Sequence, residues 1–246
     1  MPPLSTVLAL SLVCLAAFTI ETALGFGATL VTVALGSQLL SIDTILPALV
    51  PLNLALSIYL SARYFREVDQ RFLFTRLLPF MAIGLPIGIA VYDRVEPSLL
   101  KRFFGAFLVL VAGTELWRLR TDAPVRALAR GPEIALLLAG GVIHGAFATG
   151  GPMAVYVTGR AIEDKGRYRA TLSLLWALLN AAMIAGYAWS GDLSPASASL
   201  SVALVPAILV GMWAGELAHH RVPERMFRII VFLMLLASGA MLLVRG

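Results

Sequence analysis

Ten apolar stretches run almost end to end through this chain, at residues 4–22, 26–40, 44–62, 73–92, 99–117, 132–148, 151–159, 168–190, 197–217 and 226–244. Eight of them approach or reach the roughly 17–25 residues that a helix needs to cross a bilayer. In lipid the backbone must satisfy its own hydrogen bonds, so all ten are read as helices. Almost no chain is left for a soluble domain. Composition agrees: 59% of residues are hydrophobic, 13% are charged and the mean hydropathy is +0.88. Soluble domains run about 45–50% and about 25%. A soluble enzyme and a disordered chain are both excluded. One cysteine, Cys14, excludes an intrachain disulfide framework and is expected in the core. The first run lacks a basic leader and a well-placed small-residue cleavage site, so it reads as a membrane segment.

Charge fixes an expected orientation. The net charge of +5 reflects arginine-rich loops rather than a nucleic-acid surface. If the loop at 63–76 is cytoplasmic, alternation puts 118–130, 159–169 and 219–228 on the same side. These regions hold four, four, four and three of the 19 basic residues, and the opposite side holds four. The positive-inside rule then places both termini outside. It also gives the two halves of the chain opposite topologies.

A shift of 127 residues brings out a repeat. Pro79, Gly84 and Gly88 fall on Pro206, Gly211 and Gly215; Arg94-Val95 on Arg221-Val222; Leu52-Asn53 on Leu179-Asn180. The polar stretch 118–131, with Pro124, Gly131 and Pro132, lies between the halves. The expected organisation is a first membrane repeat at 1–118, a cytoplasmic linker at 119–131 and a second repeat at 132–246. The expected fold is an all-α polytopic membrane protein of two inverted repeats, about five helical elements each, with broken or re-entrant helices at the centre. The G-x-x-x-G spacing of Gly84/Gly88 and Gly211/Gly215 predicts close backbone packing.

Segments 26–40 and 151–159 are short, and each follows a glycine break. The breaks are Gly25-Phe26-Gly27 and Gly150-Gly151-Pro152. Broken helices at matching places in two halves are a transporter design, with substrate at the midplane between them. The helices beginning after Gly27 and after Pro152 would aim positive dipole ends at that site, which favours an anion. Asn53 and Asn180, equivalent under the repeat, are candidate substrate ligands, with interhelical hydrogen bonding as the alternative. Glu21 lies one turn before Gly25, and an intramembrane carboxylate is a functional candidate by default. Ionised it repels an anion and protonated it tolerates one, so it would couple transport to protons. The other reading is local pairing at a helix end. His144, just before the second break, is a second proton-coupling candidate or simply a packing residue. Glu115 and Glu216 are expected to pair with interfacial arginines, and His219 and His220 to be solvated loop residues. Trp117, Trp189 and Trp213 read as interfacial anchors, and Trp176 as a residue of the bundle interior.

No phosphate-binding loop, H-E-x-x-H or G-x-S-x-G occurs, and no arginine falls in the middle of an apolar segment. Metal cargo is disfavoured by the scarcity of interior His, Asp and Cys.

Together, Gly25-Phe26-Gly27, the Leu46-Pro47-Ala48 to Asn53 helix with its Arg63-Tyr64-Phe65-Arg66 loop, Gly140-Gly141 through Gly150-Gly151-Pro152, and the repeated Pro/Gly/Gly pattern resemble the sulfite exporter TauE/SafE family of organosulfur permeases. The resemblance covers essentially the whole chain. It implies a multi-pass protein of the cell inner membrane that moves small sulfur-containing anions such as sulfite or organosulfonates. The family's glycine-rich breaks map onto Gly25, Gly27, Gly150 and Gly151. The expected function is a proton-coupled secondary transporter working by alternating access, not an enzyme. Gly25, Phe26, Gly27, Asn53, Gly150, Gly151, Pro152 and Asn180 would bind substrate, while Glu21 and His144 couple the proton. The expected partners are the sulfur anion, protons and the lipid bilayer. A homodimer stays open, and no nucleic acid, metal or cofactor is called for. A channel-like anion pore, a carboxylate transporter and an intramembrane enzyme using His144 with Glu21 are the rival readings.

Overall fold

A computed structural model describes residues 2–121, 128–221 and 224–245. Among the described residues there are ten helices: α1 (Leu4–Leu24), α2 (Ala28–Gly36), α3 (Ile42–Arg63), α4 (Gln70–Arg94), α5 (Pro97–Thr121), α6 (Arg130–Phe147), α7 (Gly151–Ala161), α8 (Lys165–Ser190), α9 (Pro195–Arg221) and α10 (Glu224–Arg245). A single 3₁₀ turn, Phe65–Glu67, precedes α4. Each helix corresponds to one of the ten apolar stretches. Residues 122–127, in the expected linker, lie outside the described residues, as does Val222 of the repeat.

α1, α3, α4, α8 and α9 are long and apolar enough to cross a membrane. α5, α6 and α10 have 25, 18 and 22 residues and complete the eight long segments. α1 shows why these helices belong in lipid. Leu10, Cys14, Ala17 and Phe18 are buried on one face, while Leu4, Leu8 and Leu12 are exposed on the other. A helix that is apolar all round needs an apolar medium for its outer face. Trp117, Trp189 and Trp213 are largely exposed, as membrane anchors would be.

The principal helix pairs each join one half of the sequence to the other. α1 packs on α9, α4 on α6, α3 on α8 and α5 on α10. The halves therefore interlock and do not form two separate bundles on either side of a linker. Glycine makes two of these seams possible. On α4, a Cβ at Gly84 or Gly88 would overlap the Leu138 or Val142 carbonyl oxygen of α6. On α9, a Cβ at Gly211 or Gly215 would lie 2.6 Å from the carbonyl oxygens of Leu15 and Thr19 on α1. The two G-x-x-x-G helices thus pack closely, each against the first helix of the opposite half. Exchanging the halves turns the α1–α9 pair into the α6–α4 pair and leaves α3–α8 and α5–α10 unchanged.

Helix ends follow the same offset. Arg63 and Ser190, and likewise Arg94 and Arg221, stand 127 residues apart as the ends of α3 and α8, and of α4 and α9. Local detail differs between the halves. A π-helical turn at Leu73–Leu77 widens α4 and is followed by Pro79 and Pro86. It places Arg76 against Glu133 of α6, with Nε 2.7 Å from Oε1.

Candidate functional site

Two interrupted helices meet at the middle of the bundle. α1 ends at Gly25 with φ of 86°, and its amide returns to the Glu21 carbonyl. Gly27 follows at φ of 117° and starts α2. Two left-handed residues in three turn the chain back on itself, a conformation that glycine adopts without a Cβ clash. The second break, between α6 and α7, is built differently. Ala148 carries the left-handed turn at φ of 52° and is the one non-glycine residue with positive φ among the described residues. Such strain collects at functional sites. α7 begins at Gly151, with Pro152 inside its first turn, so the helix starts before Pro152 and not after it. Gly150 fits beneath the Gly140 carbonyl, where a side chain would overlap it.

Between the breaks lies a cavity lined by Glu21, Phe26, Gly27, Thr29, Leu30, Asn53, His144, Ala148, Thr149, Gly151, Trp176 and Asn180. Its volume is about 20 Å³ for the centre of a water-sized sphere, room for roughly one or two waters. Among the described residues, no lysine or arginine lines it.

One chain of hydrogen bonds crosses the cavity. The Ala28 backbone N–H, at the start of α2, donates to Glu21 Oε2 at 2.6 Å. Asn53 Nδ2 lies 3.0 Å from both Glu21 carboxylate oxygens. Asn53 Oδ1 in turn accepts from Asn180 Nδ2 at 2.8 Å and from Ser57 Oγ at 3.3 Å. All four side chains are buried. Among the described residues the carboxylate is held by amide donors, which is how an anion is bound at a helix N-terminus. The α2 end is thus already occupied by the protein's own carboxylate, where the sequence suggested an end open to substrate.

The far side of the cavity holds polar atoms without partners. Asn180 Oδ1, Thr149 Oγ1 and both ring nitrogens of His144 are buried and make no hydrogen bond of good geometry among the described residues, although His144 lies close enough to Asn180 to interact with it. His144 is stacked on Trp176, with ring centroids 5.6 Å apart and planes 16° from parallel. Trp176 Nε1 donates to the Gly25 carbonyl at 2.9 Å, tying α8 to the first break. Buried polar groups left unpaired call for an occupant.

Of the residues expected from sequence, Glu21, Phe26, Gly27, Asn53, His144, Gly151 and Asn180 line the cavity. Gly25 and Gly150 shape the two turns behind it, and Pro152 faces a separate groove on the other side of α7. Thr29, Leu30, Ala148 and Thr149 were not singled out; their adjacency to the two breaks is the signal that finds them. Trp176 lies in the interior, as expected. Arg169 is a further correction. Counted with a cytoplasmic loop, it is buried in α8 beneath the first break. Its Nη1 donates to the Thr22 carbonyl at 3.0 Å, and its guanidinium lies 4.3 Å from the Tyr64 ring centroid and 3.6 Å from Glu216 Oε1. Tyr64 also donates to Glu216 at 3.1 Å, and Glu115 pairs with Arg118 at 2.5 Å. His219 does not sit in a solvated loop: it is in α9, half-buried, with Nδ1 2.7 Å from the Ala23 carbonyl oxygen. The helix C-terminus of α1, where carbonyls lack partners, explains the pull on both Arg169 and His219. The side chain of His220 lies outside what the structure describes.

An all-helical bundle with apolar outer faces and interrupted helices around a central polar cavity is a multi-pass membrane protein of transporter type. The chain belongs to the sulfite exporter TauE/SafE family, whose model matches residues 10–242. It is thus a membrane permease of that family. A search of curated proteins finds no match to this chain, and neither does a search of solved structures.

Proposed function

We propose that this permease moves small sulfur oxyanions, such as sulfite or organosulfonates, across the cell inner membrane, each with a proton on Glu21. The observation that carries the reading is the seat of the Glu21 carboxylate on Ala28 N–H and Asn53 Nδ2. These are the donors an oxyanion needs. Ionised Glu21 and the substrate therefore exclude one another. A protonated Glu21 gives up its hold on these donors, and the anion takes its place. Asn180, Thr149 and His144 face the same cavity with unused polar atoms and complete the shell.

The family supports transport of a sulfur anion. The symmetric helix pairing supports two inverted repeats, with domains at 1–118 and 132–246, working by alternating access. Because the glycine seams join opposite halves, the moving units are α1 with α9 and α4 with α6, each kept as a pair. The cavity is too small for the substrate as it stands, so separation of these pairs opens it.

The test is uptake into proteoliposomes with and without an inward proton gradient, using sulfite, thiosulfate, taurine, sulfoacetate and succinate. Saturable flux of one sulfur anion, stimulated by the gradient, is expected. Glu21→Gln should remove the gradient dependence and leave anion exchange largely intact. Gradient dependence that survives in that variant would overturn the coupling role. Flux of succinate alone would overturn the substrate class, and flux without saturation would favour a pore.

A further inference from the structure

The geometry points to a binding site for an anionic phospholipid in the groove between α5, α6 and α7. This groove is a different space from the central cavity. Its volume is about 1000 Å³, at the upper end of ligand sites. Its walls are mostly apolar, including Leu110, Val111, Leu136 and Met153.

Three observations select the occupant. The first is charge at one end. The Arg118 and Arg160 guanidiniums lie 4.9 Å and 3.6 Å from the Tyr156 ring centroid. They stand beside one carboxylate, Glu115. The end of the groove therefore carries net positive charge next to a long apolar trough. A headgroup phosphate with acyl chains fits both features at once. Basic pockets between membrane helices bind phospholipid headgroups in this way. The second is position. Arg118 and Arg160 fall in two of the regions that the charge distribution assigns to the cytoplasmic side, where a phosphate would lie at the bilayer surface.

The third is a place where the two halves of the chain pack differently. α2 packs against α10. The matching pair, α5 and α7, makes less contact, and the groove lies between them. α7 is supported from one side by α6, where Met153 meets Gly140. Pro152, Met153 and Tyr156 of the same helix line the groove. A lipid seated there supports the helix that begins at the second break.

Native mass spectrometry of the detergent-purified full chain, titrated with equal amounts of phosphatidylglycerol and phosphatidylcholine, tests the site without any transport readout. One phosphatidylglycerol is expected to stay bound, at about tenfold lower concentration than phosphatidylcholine. Arg118→Gln with Arg160→Gln should erase the preference, and Arg118→Lys with Arg160→Lys should keep it. Ala135→Trp, which fills the apolar wall and leaves both arginines, should lose the lipid. Glycerophosphoglycerol, a headgroup without chains, should not compete. Equal retention of the two lipids, a preference unchanged in the double Gln variant, competition by the bare headgroup, or a protein dimer in place of the lipid would each overturn the proposal.

Discussion

Asn180 donates its side-chain amide to the Asn53 carbonyl oxygen at 2.8 Å, across 127 residues of sequence. That separation is the offset at which the two halves of the chain resemble one another. Residues equivalent under a two-fold rotation meet only at its axis. The contact therefore supports a two-fold relation between the halves, with its axis through the candidate site. The relation is broken beyond the asparagines: Asn53 turns to Glu21, while Asn180 lies beside His144.

The two asparagines should differ in stability because of this asymmetry. Asn53→Ala removes the side-chain donor from a buried carboxylate and should cost about 1–3 kcal/mol. Asn180→Ala removes one neutral interhelical bond and should cost about 0.6 kcal/mol. Thermal unfolding in detergent measures both. Equal losses would mean that Glu21 does not depend on Asn53.

How much of this was legible without coordinates depends on the kind of signal. Eight of the helices were, because each follows a long apolar run, and the two short ones were marked by the glycine breaks before them. The first break was legible because the backbone needs glycine at Gly25 and Gly27; the second was marked by Gly150-Gly151-Pro152, although its left-handed residue is Ala148. The pairing of α1 with α9 was not, since the sequence marks Gly211 and Gly215 as a close-packing face but not the partner that fills it. Arg169 was misread because a basic residue beside a loop looks the same whether its side chain turns to water or to the Thr22 carbonyl. Glu21 was legible as unusual, but its seat on Ala28 N–H requires the turn at Gly27 to be known first.

The glycine seams make a paired prediction. Gly88→Ala pushes a methyl into the Val142 carbonyl oxygen, and a backbone neighbour cannot rotate away. The cost should be about 1–3 kcal/mol or more. Gly215→Ala, at the equivalent seam with α1, should behave alike. Gly113→Ala meets nothing within 4 Å and should raise stability by up to about 1 kcal/mol through helix propensity. Melting temperatures of the three variants decide it; a tolerated Gly88→Ala would mean that α4 and α6 do not touch.

Arg76 and Glu133 should be coupled. Glu133 is buried and Arg76 is about one-third exposed. Arg76→Ala strands the carboxylate and should cost about 1–3 kcal/mol, less than a fully buried pair because water reaches the arginine. Arg76→Ala with Glu133→Ala should be less harmful than the sum of the two single changes. A double-mutant cycle in chemical unfolding gives the coupling, and additive losses would rule it out.

Trp176 should matter to the site through its N–H more than through its ring. Trp176→Phe keeps an aromatic face for His144 but leaves the Gly25 carbonyl without its donor. An unpaired buried carbonyl costs about 1–3 kcal/mol. The loss falls on the turn that sets Gly27 and the Ala28 N–H in place, so anion flux should drop by more than stability alone explains. Trp176→Leu removes both the N–H and the stack, and should lower flux further by freeing the His144 ring. Proteoliposome flux, normalised to folded protein, separates the two effects. If Trp176→Phe transports at the wild-type rate, the Nε1 bond does not position the break, and the stacked ring is what the site requires of Trp176.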